Sequence, residues 1–173
     1  MRTPVLETER LFLRRPTRSD IGTVFARLKA GQTHVATAPL AGERALEQVV
    51  AIVCHWDLCG LGLFAAVPKG CDEPIGLAGP WKATGWEQPE LGFLFLDTAD
   101  ADSLAPEALR RAHHFAERVI GWSEIVSHIR PEDRRAVALA RTTGAIADPF
   151  ADGPTEALTF RHPVRRGNWR RAA

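Results

Sequence analysis

The chain has 173 residues, 45% hydrophobic and 25% charged, with a net charge of +1. That length and mixture belong to one globular domain with a substantial core, and the near-neutral balance excludes bulk attraction to nucleic acid or an anionic membrane. No apolar run reaches the roughly 18–20 residues of a membrane helix, and the start Met1-Arg2-Thr3-Pro4-Val5 lacks the basic-then-apolar plan of a signal peptide, so the expected location is the cytoplasm. Cys54, Cys59 and Cys71 are odd in number and form no CxxC pair. They predict neither a disulfide framework nor a zinc site, and no metal is expected.

Apolar and polar residues alternate through Leu11, Phe12 and Leu13, which predicts a first strand over residues 6–14 that Pro16 stops. Ser19 and Asp20 can cap a first helix running to about Lys29, with Gly31 beyond its end. Leu46, Val49, Val50, Val53 and Trp56 recur three and four apart and predict a second helix over residues 42–60. Short apolar strands follow over residues 63–67 and 75–81, and a longer one over residues 89–96.

After that strand, Leu104, Ala108, Ala112, Phe115, Ala116 and Val119 mark one face of a helix reaching about Ile120. Residues 123–130 return as a strand, so the pair of strands with its crossover helix predicts a right-handed unit of parallel strands. A short helix over residues 132–142, ended by Gly144, and two strands near residues 145–148 and 156–161 close the pattern. Residues 1–163 read as one domain and residues 164–173 as a basic tail carrying Arg165, Arg166, Arg170 and Arg171 around Trp169.

Several segments carry a family resemblance. The opening Thr8-Glu9-Arg10-Leu11-Phe12-Leu13-Arg14, the Gly60-Leu61-Gly62-Leu63-Phe64 turn and strand, Ile75-Gly76-Leu77-Ala78-Gly79-Pro80-Trp81, Pro89-Glu90-Leu91-Gly92-Phe93 and Ile129-Arg130-Pro131-Glu132-Asp133 stand in order and at spacing. Together they resemble the GNAT N-acetyltransferases, in particular the branch related to ribosomal-protein N-acetyltransferases, over about residues 6–163. The resemblance implies a mixed α/β acyl-CoA N-acyltransferase fold, with a central mixed sheet of six to seven strands flanked by four helices. It also implies transfer of an acetyl group from acetyl-CoA to a primary amine of a peptide or small molecule, without nucleic acid or membrane, and allows a homodimer. The other function these residues allow is a GNAT-fold binding or structural protein that no longer turns over acyl-CoA.

In such a fold the backbone of Leu94, Phe95 and Leu96 would hold the pantetheine arm, although three apolar residues in a strand suit ordinary packing equally. A diphosphate needs free N–H donors, best placed at a helix N-terminus. The resemblance assigns that role to Asp102, Ser103, Leu104 and Ala105, with Ser103 as the cap, and places Asp133 toward the CoA arm where the family has asparagine. Here Ala101 and Ser103 replace the family's two loop glycines, and Asp100 and Asp102 add negative charge. One carboxylate about 6 Å from one phosphate charge costs roughly 3 kcal/mol at an effective dielectric of about 20. Those acids can equally serve the helix dipole alone.

Attack on a thioester needs a neutral amine, so a carboxylate or a water it holds must take the proton. Glu90 heads the strand beside the expected thioester, and period-two alternation sets it on one face with Gly92, Leu94 and Leu96. A strand-end carboxylate in solvent or in an ion pair is the plainer alternative. Trp81 and Trp86 are candidates for the acceptor wall. The chain has no tyrosine to protonate the leaving thiolate, and Ser127 is the substitute nearest in the pattern. His113 and His114, adjacent in mid-helix, read as a satisfied or solvated pair.

Overall fold

The computed structural model describes residues 4–36, 44–82, 88–151 and 153–164. Trp86 and all but the first residue of the basic tail lie outside the described residues. The expected first strand is two: β1 (Leu6–Glu7) and β2 (Leu11–Arg14) pair antiparallel, Leu6 opposite Leu13 and Glu7 opposite Phe12. Thr8 makes the reversal, its N–H donating to the Leu11 carbonyl at 3.0 Å and its Oγ1 accepting from the Leu11 N–H at 2.9 Å.

Helix α1 (Arg18–Lys29) is capped by Thr17 rather than by Ser19 or Asp20. The Asp20 N–H donates to Thr17 Oγ1 at 3.3 Å and the Thr17 N–H to Asp20 Oδ2 at 2.6 Å, a reciprocal capping box. Arg14 grips both oxygens of the same carboxylate, at 2.6 and 3.1 Å, and so ties β2 to the head of α1.

Strand β3 (Thr33–Ala36), absent from the sequence reading, comes next, followed by α2 (Arg44–Cys59), β4 (Phe64–Pro68), β5 (Gly76–Trp81) and β6 (Glu90–Leu96). On α2 the expected Trp56 is buried, whereas Val50 is 51% exposed and Ile52, not on the expected face, is buried in its place; the side chains of Leu46, Val49 and Val53 lie outside the described residues. Helix α3 (Ala99–Phe115) runs into a π-helical turn over Ala116–Ile120 and ends at Gly121, whose φ of 84° suits glycine. The wider turn rotates the apolar face, so Val119, expected in the core, is 65% exposed. Strand β7 (Val126–Ile129), helix α4 (Arg134–Thr142), β8 (Ile146–Asp148) and β9 (Leu158–Arg161) complete the elements of the described residues.

Among the described residues one mixed sheet results, in the order β1-β2-β4-β5-β6-β3-β7-β9-β8, with two strands more than the largest number expected, from the split of the first strand and from β3. All its pairings are antiparallel except that of β6 with β7 at Glu90 and Val126. Leu91, Phe93 and Phe95 bury against α3 and α4, in a cluster holding Ala108, Ala112, Phe115 and Ala136. Leu94 and Leu96 bury on the other face with Val24 and Leu28 of α1 and Ile52 of α2. The layers are therefore helix, sheet, helix, as the resemblance implies.

Candidate active site

Strand β6 is buried on both faces along its length, and its alternation sets Glu90 on the α1/α2 side. The Glu90 side chain is 4% exposed, and burial pushes its carboxyl up to about 7. Trp81 stands directly opposite on β5 and stacks on His55 of α2, ring centroids 4.3 Å apart. Trp81 therefore does lie beside Glu90, held from behind by a ring whose Nδ1 and Nε2 lie 2.8 and 3.0 Å from the Leu61 and Lys82 carbonyl oxygens.

Two residues beyond Val126 on β7, His128 shares the Glu90 face and brings Nε2 to 3.7 Å from Glu90 Oε1. Thr159 of β9 is its register partner, with Oγ1 3.1 Å from His128 Nδ1. Burial lowers the His128 pKa. Neither His128 nor Thr159 figured in the sequence reading. The available signal was the same period-two rule that placed Glu90, applied across the expected parallel pair.

Ser127 is a correction. Alternation turns it to the α3/α4 side, away from Glu90, where it is fully buried and its hydroxyl donates to the Leu91 carbonyl at 2.6 Å. With that proton committed, the 2.8 Å contact to His162 Nε2 has the imidazole donating. Burial, with His113 adding to it, pushes the His162 pKa down to about 3. A hydroxyl so engaged is not placed to protonate a thiolate beside Glu90.

The expected pantetheine contacts also meet a different arrangement. Leu94, Phe95 and Leu96 pair with Val35, His34 and Thr33 of β3, and the Asp97 N–H donates to the Gln32 carbonyl at 2.9 Å. On the other side the same residues face β5 and its approach, the Leu96 N–H reaching the Ile75 carbonyl at 3.0 Å. β3 enters between β6 and β7 and touches β7 at Ile129. Its sequence signal was weak: four residues, with β-branched Thr33 and Val35.

The expected phosphate cradle is corrected as well. Thr98, not Ser103, caps α3: its Oγ1 accepts from the Ala101 N–H at 3.1 Å and its carbonyl from the Asp102 N–H at 3.0 Å. Asp102, Ser103, Leu104 and Ala105 thus lie within the helix, as does Pro106. Their amides face helical carbonyls instead of a ligand. Arg135 of α4 pairs with Asp97 and reaches Asp102 Oδ2 at 3.9 Å, which bridges the head of α3 to α4. Asp133 caps α4, its Oδ1 accepting from the Ala136 N–H at 2.9 Å.

Among the described residues no group of three or more His, Cys, Asp or Glu could hold a metal ion, and no helix is long and apolar enough to cross a membrane. A surface cavity of about 440 Å³ is lined by Arg130, Glu132, Glu156 and Leu158 among others, none of them a predicted site residue.

Residues 10–146 match the family profile described as acetyltransferase (GNAT) domain. Among solved structures, an acetyltransferase from Agrobacterium tumefaciens str. C58 is similar at 23% identity over 94% of this chain and 96% of that one, with a TM-score of 0.79. A Vibrio cholerae protein described as a candidate ribosomal-protein-serine acetyltransferase is 17% identical over 92% of this chain and 98% of that one, TM-score 0.70. A mutant form of the spermidine/spermine N-acetyltransferase of the same organism is 16% identical over 90% and 93%, TM-score 0.60. At these identities the structures speak for the fold. No curated protein matches the chain.

Proposed function

Because the chain belongs to the GNAT acetyltransferase family, we propose that it is an N-acetyltransferase moving an acetyl group from acetyl-CoA to a primary amine of a peptide or small molecule. The observation that carries this reading is Glu90, a buried carboxyl at about 7 where the parallel strands β6 and β7 meet. A base titrating near neutrality can take a proton from an amine at working pH.

In this reading Trp81, with Trp86, walls the acceptor amine beside Glu90. The neutral amine attacks the thioester carbon, the new C–N bond forms, and Glu90 accepts the nitrogen's proton. The C–S bond then breaks. A thiol with pKa near 8.5 can leave as thiolate and be protonated by water, so Ser127 is not needed. The backbone of Leu94, Phe95 and Leu96 holds the pantetheine once β3 has left the strand edge, and Arg135 is a cation beside the head of α3. The setting is the cytoplasm, and no metal takes part. The sparse supply of acids argues against a polycationic acceptor.

A second reading, a GNAT-fold binding protein without acyl-CoA turnover, is favoured by the β3 ladder and by the helical, acid-bearing head of α3. Isothermal titration with acetyl-CoA and with CoA, at two salt concentrations, separates the two. Micromolar binding followed by CoA release over an amine panel, lost in Glu90→Gln, supports the enzyme. No heat and no thermal shift at millimolar ligand leaves the binding protein.

A further inference from the structure

A polar row crosses four strands on the α1/α2 face: Trp81 on β5, Glu90 on β6, His128 on β7 and Thr159 on β9. Glu90 and His128 are 4% and 2% exposed, so neither is screened by bulk water. From β5 the group facing Glu90 is Trp81, with His55 of α2 stacked behind it, and from β7 it is His128. Burial raises the Glu90 pKa and lowers that of His128.

We propose that His128 is the positioning residue of Glu90, with Thr159 fixing its tautomer so that Nε2–H is presented to the Glu90 carboxylate. This rests on the reading of Glu90 as the base. His128 Nδ1 and Thr159 Oγ1 are 3.1 Å apart, and in this assignment the hydroxyl donates to Nδ1 and the ring's one proton is on Nε2. From 3.7 Å a small side-chain rotation brings that donor into hydrogen-bond range of Oε1. A donor that bonds the charged form favours it, and so opposes the burial that would otherwise keep Glu90 protonated.

The approach to β9 holds the row in place. A Cβ at Gly153 would lie 2.7 Å from Thr159 Oγ1 and 3.1 Å from His128 Cε1, so only glycine lets this backbone close over the pair. His128 also stands two residues past the last contact of β6 with β7, at the mouth of the gap into which β3 enters. A histidine that merely filled space there would hold the fold without touching the titration of Glu90.

The test uses the full chain labelled with carbon-13 at glutamate Cδ, with the Glu90 resonance identified by its loss in Glu90→Gln. His128→Phe should raise the Glu90 midpoint by about one pH unit, the size expected for loss of a hydrogen bond to the charged form. His128→Gln, which keeps an N–H donor, should stay nearer the wild type, and Thr159→Val should fall between. Where an amine is turned over, the acid limb of its pH profile should move with the midpoint. Equal midpoints in His128→Phe and wild type overturn the assignment. If His128→Phe does not fold, Thr159→Val carries the test, and an unshifted midpoint there overturns it. The resonance needs no turnover, so failure of acetyl-CoA to bind would sink the transferase reading separately.

Discussion

Val35 stands opposite Leu94 in an antiparallel ladder that runs from Thr33 and Leu96 to Ala36 and Phe93. β6 is buried on both faces, so an unpaired edge there would leave backbone donors and acceptors without water. Something must pair with it, and in this structure the occupant is the chain itself.

If acyl-CoA uses that edge, it competes with β3. His34→Pro and Val35→Pro remove the amides of two adjacent residues, one of which faces β6. At about 1 kcal/mol per ladder bond, the variant that loses the facing bond should bind acetyl-CoA roughly three- to tenfold more tightly in titration calorimetry. Hydrogen exchange at residues 33–36 of the wild type should quicken when CoA is added. Unchanged affinity in both variants would mean that β3 and the cofactor do not share the edge.

Asp102 sits at the head of α3 with Arg135 at 3.9 Å, and both are substantially exposed. Replacing the carboxylate by Asp102→Asn removes one repulsion beside a diphosphate, so CoA should bind about threefold more tightly at low salt. The gain should shrink as ionic strength rises. Equal affinity at both salt concentrations would place the diphosphate elsewhere.

Glu90→Gln should lower amine acetylation by about a hundredfold or more. The same change should stabilise the protein at high pH. The Glu90 pKa is raised from 4.5 to about 7, so the folded state holds its proton more tightly than the unfolded chain. Its stabilising contribution is full below the unfolded value and is lost as pH rises through the folded one, a loss of roughly 3 kcal/mol at most. Urea melts at pH 5 and pH 8 should show wild type losing ground to the variant only at the higher pH.

Asp20 is 3% exposed and serves two masters, the Arg14 fork and the Thr17 capping box. Burial pushes its pKa up, and the hydrogen bonds from Arg14 and Thr17 outweigh that and lower it. Its contribution is therefore present above the unfolded value near 3.8 and lost as pH falls through the lower folded one. Asp20→Ala should cost roughly 3 kcal/mol at pH 7, because it leaves Arg14 without its partner and α1 without half its box. In acid the gap between variant and wild type should close.

The order of the elements other than β3, most of the apolar face of α3, and the face that Glu90 shares with Leu94 and Leu96 were legible from the amino-acid order alone. Those features follow from local periodicity: a period of two assigns a residue to one face of a strand, and a period near 3.6 assigns it to one side of a helix. The split of the first strand at Thr8 and the cap at Thr17 were harder, because several Ser, Thr and Asp residues there compete for the same backbone donors. The start of α3 was undecidable locally, since Thr98 and Ser103 are both good caps. Burial of Ala101 at 1% exposure decides for Thr98.

Tertiary structure alone decided who neighbours whom. Periodicity gives a face but not a partner, so nothing local announces that residues 33–36 take the edge of β6 some sixty positions later, or that Arg135 reaches Asp97 and Asp102. The meeting of Glu90 with His128 is of the same kind: each side chain's face is written in its own strand, but their 3.7 Å separation exists only because β6 and β7 run parallel and touch at Val126.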